Sequence, residues 1–212
     1  MAKGSELLAI AVKQLGVRES PPGSNNVRYN TWYYGREVTG NGYPWCMVFV
    51  QWVFDQAGMK LPKRTASCGD LMRAAQSVGC WVKKDFRPGD VVIFNFPGGA
   101  ATDHCGIVEA VTANGVTSIE GNTGSGNDAD GGQVQRRDRP LKNIVGAVRP
   151  AYDKEEDEVR YNTVQECPEW ARETIQKLVD KGYLNGNGEG LNLSEDMVRM
   201  FVINDRAGVY GA

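Results

Sequence analysis

The sequence predicts an α+β protein, with helices packed on an antiparallel sheet, followed by a small helical module. Helix signals come first, between residues 6 and 79, and short β-rich runs follow between 90 and 150, separated by Gly, Pro and Asn clusters. Charge also divides the chain: residues 1–150 hold 17 Lys and Arg against 13 Asp and Glu, whereas residues 151–212 hold 7 against 13. The sign changes in PAYDKEEDEVRYN (150–162), an acid-rich stretch with the composition of an exposed linker. The predicted domains are therefore 1–150, a linker at 151–162 and a helical module at 163–212.

Glu6 to Leu15 has helical spacing after Ser5 as a cap. Pro44 to Ala57 is a second helix closed by Gly58, and a third follows Ser67 to about Val78 and ends at Gly79. The β-rich runs are DVVIFNF (90–96), HCGIVEAV (104–111), GVTSIEGN (115–122) and NIVGAVRP (143–150). After the linker, PEWARETIQKLVDKG (168–182) opens with Pro and closes with Gly, and LSEDMVRMFVINDRAG (193–208) is capped by Ser194.

The 41% apolar content suffices for a core. The apolar run LLAIAV near the start is shorter than the roughly 7 to 15 residues of a secretory core, and no stretch approaches the roughly 18 needed to span a membrane. The expectation is a protein made in the cytoplasm without a signal peptide, with neither membrane insertion nor nucleic acid as a partner. Five cysteines (46, 68, 80, 105, 167) at irregular spacings, without CxxC, argue against a disulfide framework or a zinc site. No cofactor or metal is expected. The single histidine, His104, excludes mechanisms that need two imidazoles.

Chemistry concentrates at four positions. Cys46 follows Pro44 at the start of the second helix, among backbone N–H groups that lack intrahelical acceptors. Such donors lower a thiol pKa and can hold an oxyanion, although a half-buried structural cysteine is an equal reading of position alone. His104 opens a strand, and Glu120 and Asn122 end the next, two residues apart and so on one face. Together these are a nucleophile, a base and polar groups able to orient the base. The hairpin register decides whether they meet. A two-residue turn at Asn114-Gly115 would point His104 and Glu120 apart, whereas a three-residue Ala113-Asn114-Gly115 loop or a bulge puts His104, Glu120 and Asn122 on one face. A regular hairpin would bring Asn122 nearer the histidine than Glu120. Cys105 should face away from the imidazole. Trp32, Tyr34 and Trp45 are candidates for lining a substrate groove, with core packing as the alternative for each.

PWCMVFVQWVFDQAG, RPGDVVIFNF, DHCGIVEAV and IEGNTG resemble the CHAP domain (cysteine, histidine-dependent amidohydrolase/peptidase) of phage lysins and wall hydrolases, over roughly residues 5–150. The resemblance implies a papain-like fold of the NlpC/P60 superfamily, with Cys46 as nucleophile, His104 as general base and then acid, Glu120 orienting the ring and Asn122 helping. It implies an endolysin-type hydrolase of bacterial peptidoglycan, either N-acetylmuramoyl-L-alanine amidase or stem or cross-bridge endopeptidase, acting on the wall after release at host lysis. Calcium is not carried over, because the loop upstream of Cys46 has no Asp. The tail loosely resembles one surface-layer-homology repeat, implying a wall-binding module or a homo-oligomer contact. NGNGEGLNLSED imitates a calcium loop, but with Asn first and the short Asp196 last it reads as a plain connection. The rival readings are a non-catalytic wall-binding protein that keeps the fold and an intracellular thiol amidohydrolase.

Overall fold

The structure is a computed structural model that describes residues 4–97, 101–152 and 159–211. The chain forms two compact units, residues 1–153 and 154–212. Most of the stretch read as a linker, residues 153–158, lies outside the described residues, while Arg160 and Tyr161 at its far end form a short strand.

The first unit has an α+β architecture. Four helices, α1 (Gly4–Val12), α2 (Arg28–Tyr34), α3 (Cys46–Gln56) and α4 (Cys68–Ser77), precede six strands: β1 (Trp81–Val82), β2 (Val91–Phe94), β3 (His104–Thr112), β4 (Gly115–Thr123), β5 (Gln133–Pro140) and β6 (Ile144–Val148). The strands pair antiparallel in the order β1-β6-β2-β3-β4-β5. Eight of the eleven α3 residues are buried, so this helix is an inner element that lacks a solvent face of normal width. Val48, Phe49, Val53, Val91, Ile93, Cys105, Ile107 and Ile119 join α3 and one face of the sheet in a single core. Val92, Phe94, Val108, Val116 and Ala147 form a smaller apolar layer on the opposite face.

Two elements differ from the sequence expectation. Helix α2, RYNTWYY, has no side-chain cap and is stopped by Gly35 in the left-handed conformation, so the usual start signal is absent. Strand β5, QVQRRDRP, is nearly all polar because most of its side chains reach solvent; Val134 and Arg139 alone are buried. Its outer edge is covered by residues 16–19, through Gly16 N–H to the Val134 carbonyl, Val134 N–H to Val17 and Glu19 N–H to Gly132.

The β3–β4 hairpin combines both devices the sequence left open. Thr112 pairs with Gly115 across a two-residue Ala113-Asn114 turn, one position earlier than the Asn-Gly reading, and Ala110 still pairs with Thr117. The register then shifts so that Val108 faces Ser118 and Ile107 faces Ile119, leaving Glu109 as the extra residue of a bulge. Continued inward, this register sets Gly106 opposite Glu120, and a Cβ at Gly106 would lie 2.6 Å from the Glu120 Cγ. The bulge thus places His104 and Glu120 on the same face.

The second unit holds β7 (Arg160–Tyr161), α5 (Glu169–Asp180), β8 (Leu193–Ser194) and α6 (Glu195–Arg206). Its core is Cys167, Ala171, Ile175, Leu193, Val198 and Val202, and Ser194 caps α6 by accepting from the Met197 N–H. Among the described residues no helix is long and apolar enough to cross a membrane.

Gly121 sets how closely β4 approaches α3, since a Cβ there would lie 2.5 Å from Phe49 Cβ and 2.9 Å from a Trp45 ring carbon. Gly121→Ala should destabilise the first unit by about 1–3 kcal/mol, the usual cost of overpacking, measured by denaturant unfolding.

Candidate active site

Helix α3 begins at Cys46 itself, with Trp45 as its N-cap and Pro44 outside, two positions later than the proline placement suggested. The Trp45 carbonyl accepts from Phe49, so the N–H groups of Cys46 and the two residues after it have no intrahelical acceptor. Trp45 anchors this helix start. It is fully buried, stacks on Tyr29 at 5.5 Å between ring centroids, and donates through Nε1 to Glu19 Oε1 at 2.8 Å. The reading of Trp45 as a substrate-facing ring is therefore corrected: its indole is fixed in the core by the Glu19 contact and by stacking on Tyr29.

The Cys46 sulfur is enclosed by other sulfurs. Cys68, the first residue of α4, and Cys105 on β3 join it so that all three Sγ atoms lie within 4.8 Å of one another. Cys105 does not simply turn away from the chemistry: it faces the α3 side of the sheet and meets the Cys46 sulfur there. Hydrogen bonding from the Cys105 thiol, then from Cys68, holds the Cys46 thiol well below the ordinary range against the opposing effect of burial, and the charge of His104 adds to it. Burial pushes Cys105 well above the usual thiol range. At Cys68 a bond from Cys105 works downward, but its own bond to the Cys46 sulfur and its burial prevail and raise it well above that range. These shifts favour the anion at Cys46 and the protonated thiols at Cys68 and Cys105.

His104 is fully buried beside Phe94 and Phe96, at 6.2 and 6.0 Å between ring centroids. Burial works to lower its pKa, but the Cys46 anion and then Glu120 outweigh this and raise it to about 9. Nε2 lies 3.1 Å from Glu120 Oε2, an ion-pair distance that is out of line for a hydrogen bond. The arrangement is a thiolate–imidazolium pair with a carboxylate behind the ring.

Glu120 is itself held on three sides. Arg139 donates twice, Nε to Oε1 at 2.8 Å and Nη2 to Oε2 at 2.6 Å, and Ser118 Oγ donates to Oε1 at 2.6 Å. Burial tends to raise the Glu120 pKa; the Arg139 bonds, then His104, reverse this and keep it below the usual carboxylate value. Arg139 lies over the Phe96 ring at 4.7 Å and also pairs with Asp128 at 2.9 Å. It escaped the sequence reading because β5 was not recognised; the alternation of QVQRRDRP, with Val134 and Arg139 inward, was the available signal. Asn122 has φ +58°, which breaks the strand face. Its Nδ2 donates to Asp130 and its Oδ1 accepts from the Gly132 N–H, so its amide serves the 130–132 turn and Glu120 is the group beside the ring.

Trp32 and Tyr34 are half-buried on α2. Trp32 carries the Arg64 guanidinium over its face at 5.5 Å and borders a groove with Gln51, Phe54, Leu61 and Arg64. Phe54 lies two turns past Cys46, roughly 12 Å along the axis at about 1.5 Å per residue, so this groove is remote from the sulfur. Tyr34 packs edge-on to Tyr33 and Tyr43 at 5.0 and 5.1 Å.

Residues 38–122 match the CHAP domain family. No curated protein matches the chain. Two solved structures are similar to it: a crystal structure of the wild-type endolysin LysIME-EF1, at 15% identity and TM-score 0.46, covering 72% of this chain and 66% of that one, and an NLP/P60-family protein, described as similar to lipoprotein, from Staphylococcus aureus subsp. aureus Mu50, at 17% identity and TM-score 0.37, covering 69% and 40%. The chain thus spans less than two thirds of the length of each.

Removing Arg139 strands a buried carboxylate. Arg139→Met should cost roughly 3–5 kcal/mol, and the Glu120→Gln/Arg139→Met double variant should recover part of that loss, a coupling read from denaturant unfolding of the full cycle.

Proposed function

Because residues 38–122 form a CHAP domain, we propose that the protein is a cysteine hydrolase that cleaves an amide bond of bacterial peptidoglycan. The observation that carries the reading is the coupling of Cys46, at the donor-rich start of α3, to a fully buried His104 backed by Glu120. Cys46 attacks the amide carbonyl as a thiolate, and the developing oxyanion is held by unpaired N–H groups at the α3 N-terminus. His104, charged in the resting pair, gives its proton to the departing amine, leaving a thioester and a neutral ring. A water then enters, surrenders a proton to His104 and displaces the sulfur, which restores the thiolate and releases the acid. Glu120 fixes the ring and favours its charged form, and Arg139 and Ser118 keep Glu120 anionic and aimed. Asn122 contributes by fixing the turn beside the site.

The bond cut is the one between muramic acid and L-alanine or one in the stem or cross-bridge peptide; both present a carbonyl and an amine to the same machinery. The +4 balance of residues 1–150 draws this unit toward an anionic wall, an attraction weakened by salt. Trp32 and Tyr34 serve as remote contacts to an extended substrate. The second unit is the candidate wall-binding or self-association module.

Digestion of purified walls, with the new termini identified by mass spectrometry, tests this directly. Wild-type protein should release either new alanine amino termini from lactyl groups or new peptide termini. Cys46→Ala and His104→Ala should lose at least about 10³-fold in rate and Glu120→Gln roughly 10²- to 10⁴-fold, with wall binding retained in all three. Undiminished release by Cys46→Ala would overturn the assignment.

A further inference from the structure

The sulfur cluster offers more donors than the proposed hydrolysis uses. We propose that Cys46, Cys68 and Cys105 form a binding site for a thiophilic divalent cation such as Zn²⁺, with water as the fourth ligand, and that its occupancy arrests catalysis by engaging the nucleophile. Binding is independent of the hydrolase reading; the arrest rests on it.

Three sulfurs within 4.8 Å of one another are close to the edge of a tetrahedral zinc site, about 3.8 Å for zinc–sulfur bonds of about 2.3 Å, so small side-chain rotations complete the set. Soft thiolates select a zinc-like ion over calcium or magnesium. His104, whose Nε2 stands 3.1 Å from Glu120 Oε2, lies outside this sulfur set. Three thiolates and one water fill the four positions of a tetrahedral ion. Cys46 and Cys68 are each the first residue of a helix, so free backbone N–H groups surround two of the three ligands. Such donors steady metal-bound thiolates from outside the coordination shell and compensate the single negative charge that three thiolates and one divalent cation leave. Cys46 and Cys68 retain 5% and 6% exposure, which leaves the ion a way in. Binding displaces the thiol protons to solvent and changes no oxidation state. The sequence hides this site because its ligands lie far apart in the chain and meet only when α3, α4 and β3 pack.

The test uses the reduced full-length protein with Co²⁺ as a spectroscopic probe and Zn²⁺ as competitor. The expected result is one equivalent of Co²⁺ in a tetrahedral field with charge-transfer intensity for three thiolates, displaced by one equivalent of Zn²⁺. Cys68→Ser and Cys105→Ser should each remove about a third of that intensity and weaken Zn²⁺ binding by at least about 10-fold. Wall hydrolysis should stop at one equivalent of Zn²⁺ and return on chelation. A wild-type cobalt spectrum with a single thiolate, or no binding at all, overturns the proposal without recourse to variants, as does unchanged Zn²⁺ affinity in both folded variants. A three-thiolate spectrum on a protein that never hydrolyses walls would leave the metal site standing and refute the hydrolase reading alone.

Discussion

The ion pair between Glu120 and Arg139 is the constraint on which the site depends. A carboxylate with no exposure is costly unless its charge is matched, and here the guanidinium fork meets both oxygens at 2.8 and 2.6 Å while Ser118 occupies a further lone pair. Because the carboxylate stays ionised, a charged imidazole can exist in a pocket walled by Phe94 and Phe96. That charged ring in turn favours an anionic sulfur on Cys46. Strand β5, the least apolar element of the sheet, thereby governs chemistry that originates on α3 and β3.

The second organising feature is the convergence of helix starts on sulfur. Cys46 and Cys68 begin α3 and α4, and Cys105 projects from the sheet between them. A single thiolate in this setting receives hydrogen bonds from two thiols, so much of its stabilisation is supplied by groups with no part in an ordinary catalytic pair. Such a nucleophile is well held but shielded, with Cys46 only 5% exposed.

Much of this was legible in the chain, for identifiable reasons. The Pro-x-Cys start of α3, the strand beginning at His104 and the Glu-x-Asn end of β4 are local signals, and local signals survive without tertiary information. The hairpin could be narrowed to two devices because side-chain alternation is strict; the bulge at Glu109 sets the shared face, and the left-handed backbone at Asn122 then leaves Glu120 beside the ring. What stayed hidden is tertiary in origin. A polar edge strand carries no hydrophobic period, which concealed Arg139. Trp45 has the same sequence neighbourhood whether it faces a groove or the core, and its burial follows from Glu19, 26 residues earlier, reaching its indole nitrogen. The cysteines gave no sign of proximity because no spacing rule connects one strand to two helices.

The bulge at Glu109 also bears on how such proteins diverge. It absorbs the mismatch between a two-residue turn and the facing required at the inner end of the hairpin. Loss of that one residue would leave a straight ladder with the same partners opposite each other at the base, whereas an uncompensated insertion on the inner side would turn the carboxylate outward. The number of residues separating histidine from glutamate can thus change by one without moving either group off the shared face, provided that the residue lost is the one at the bulge.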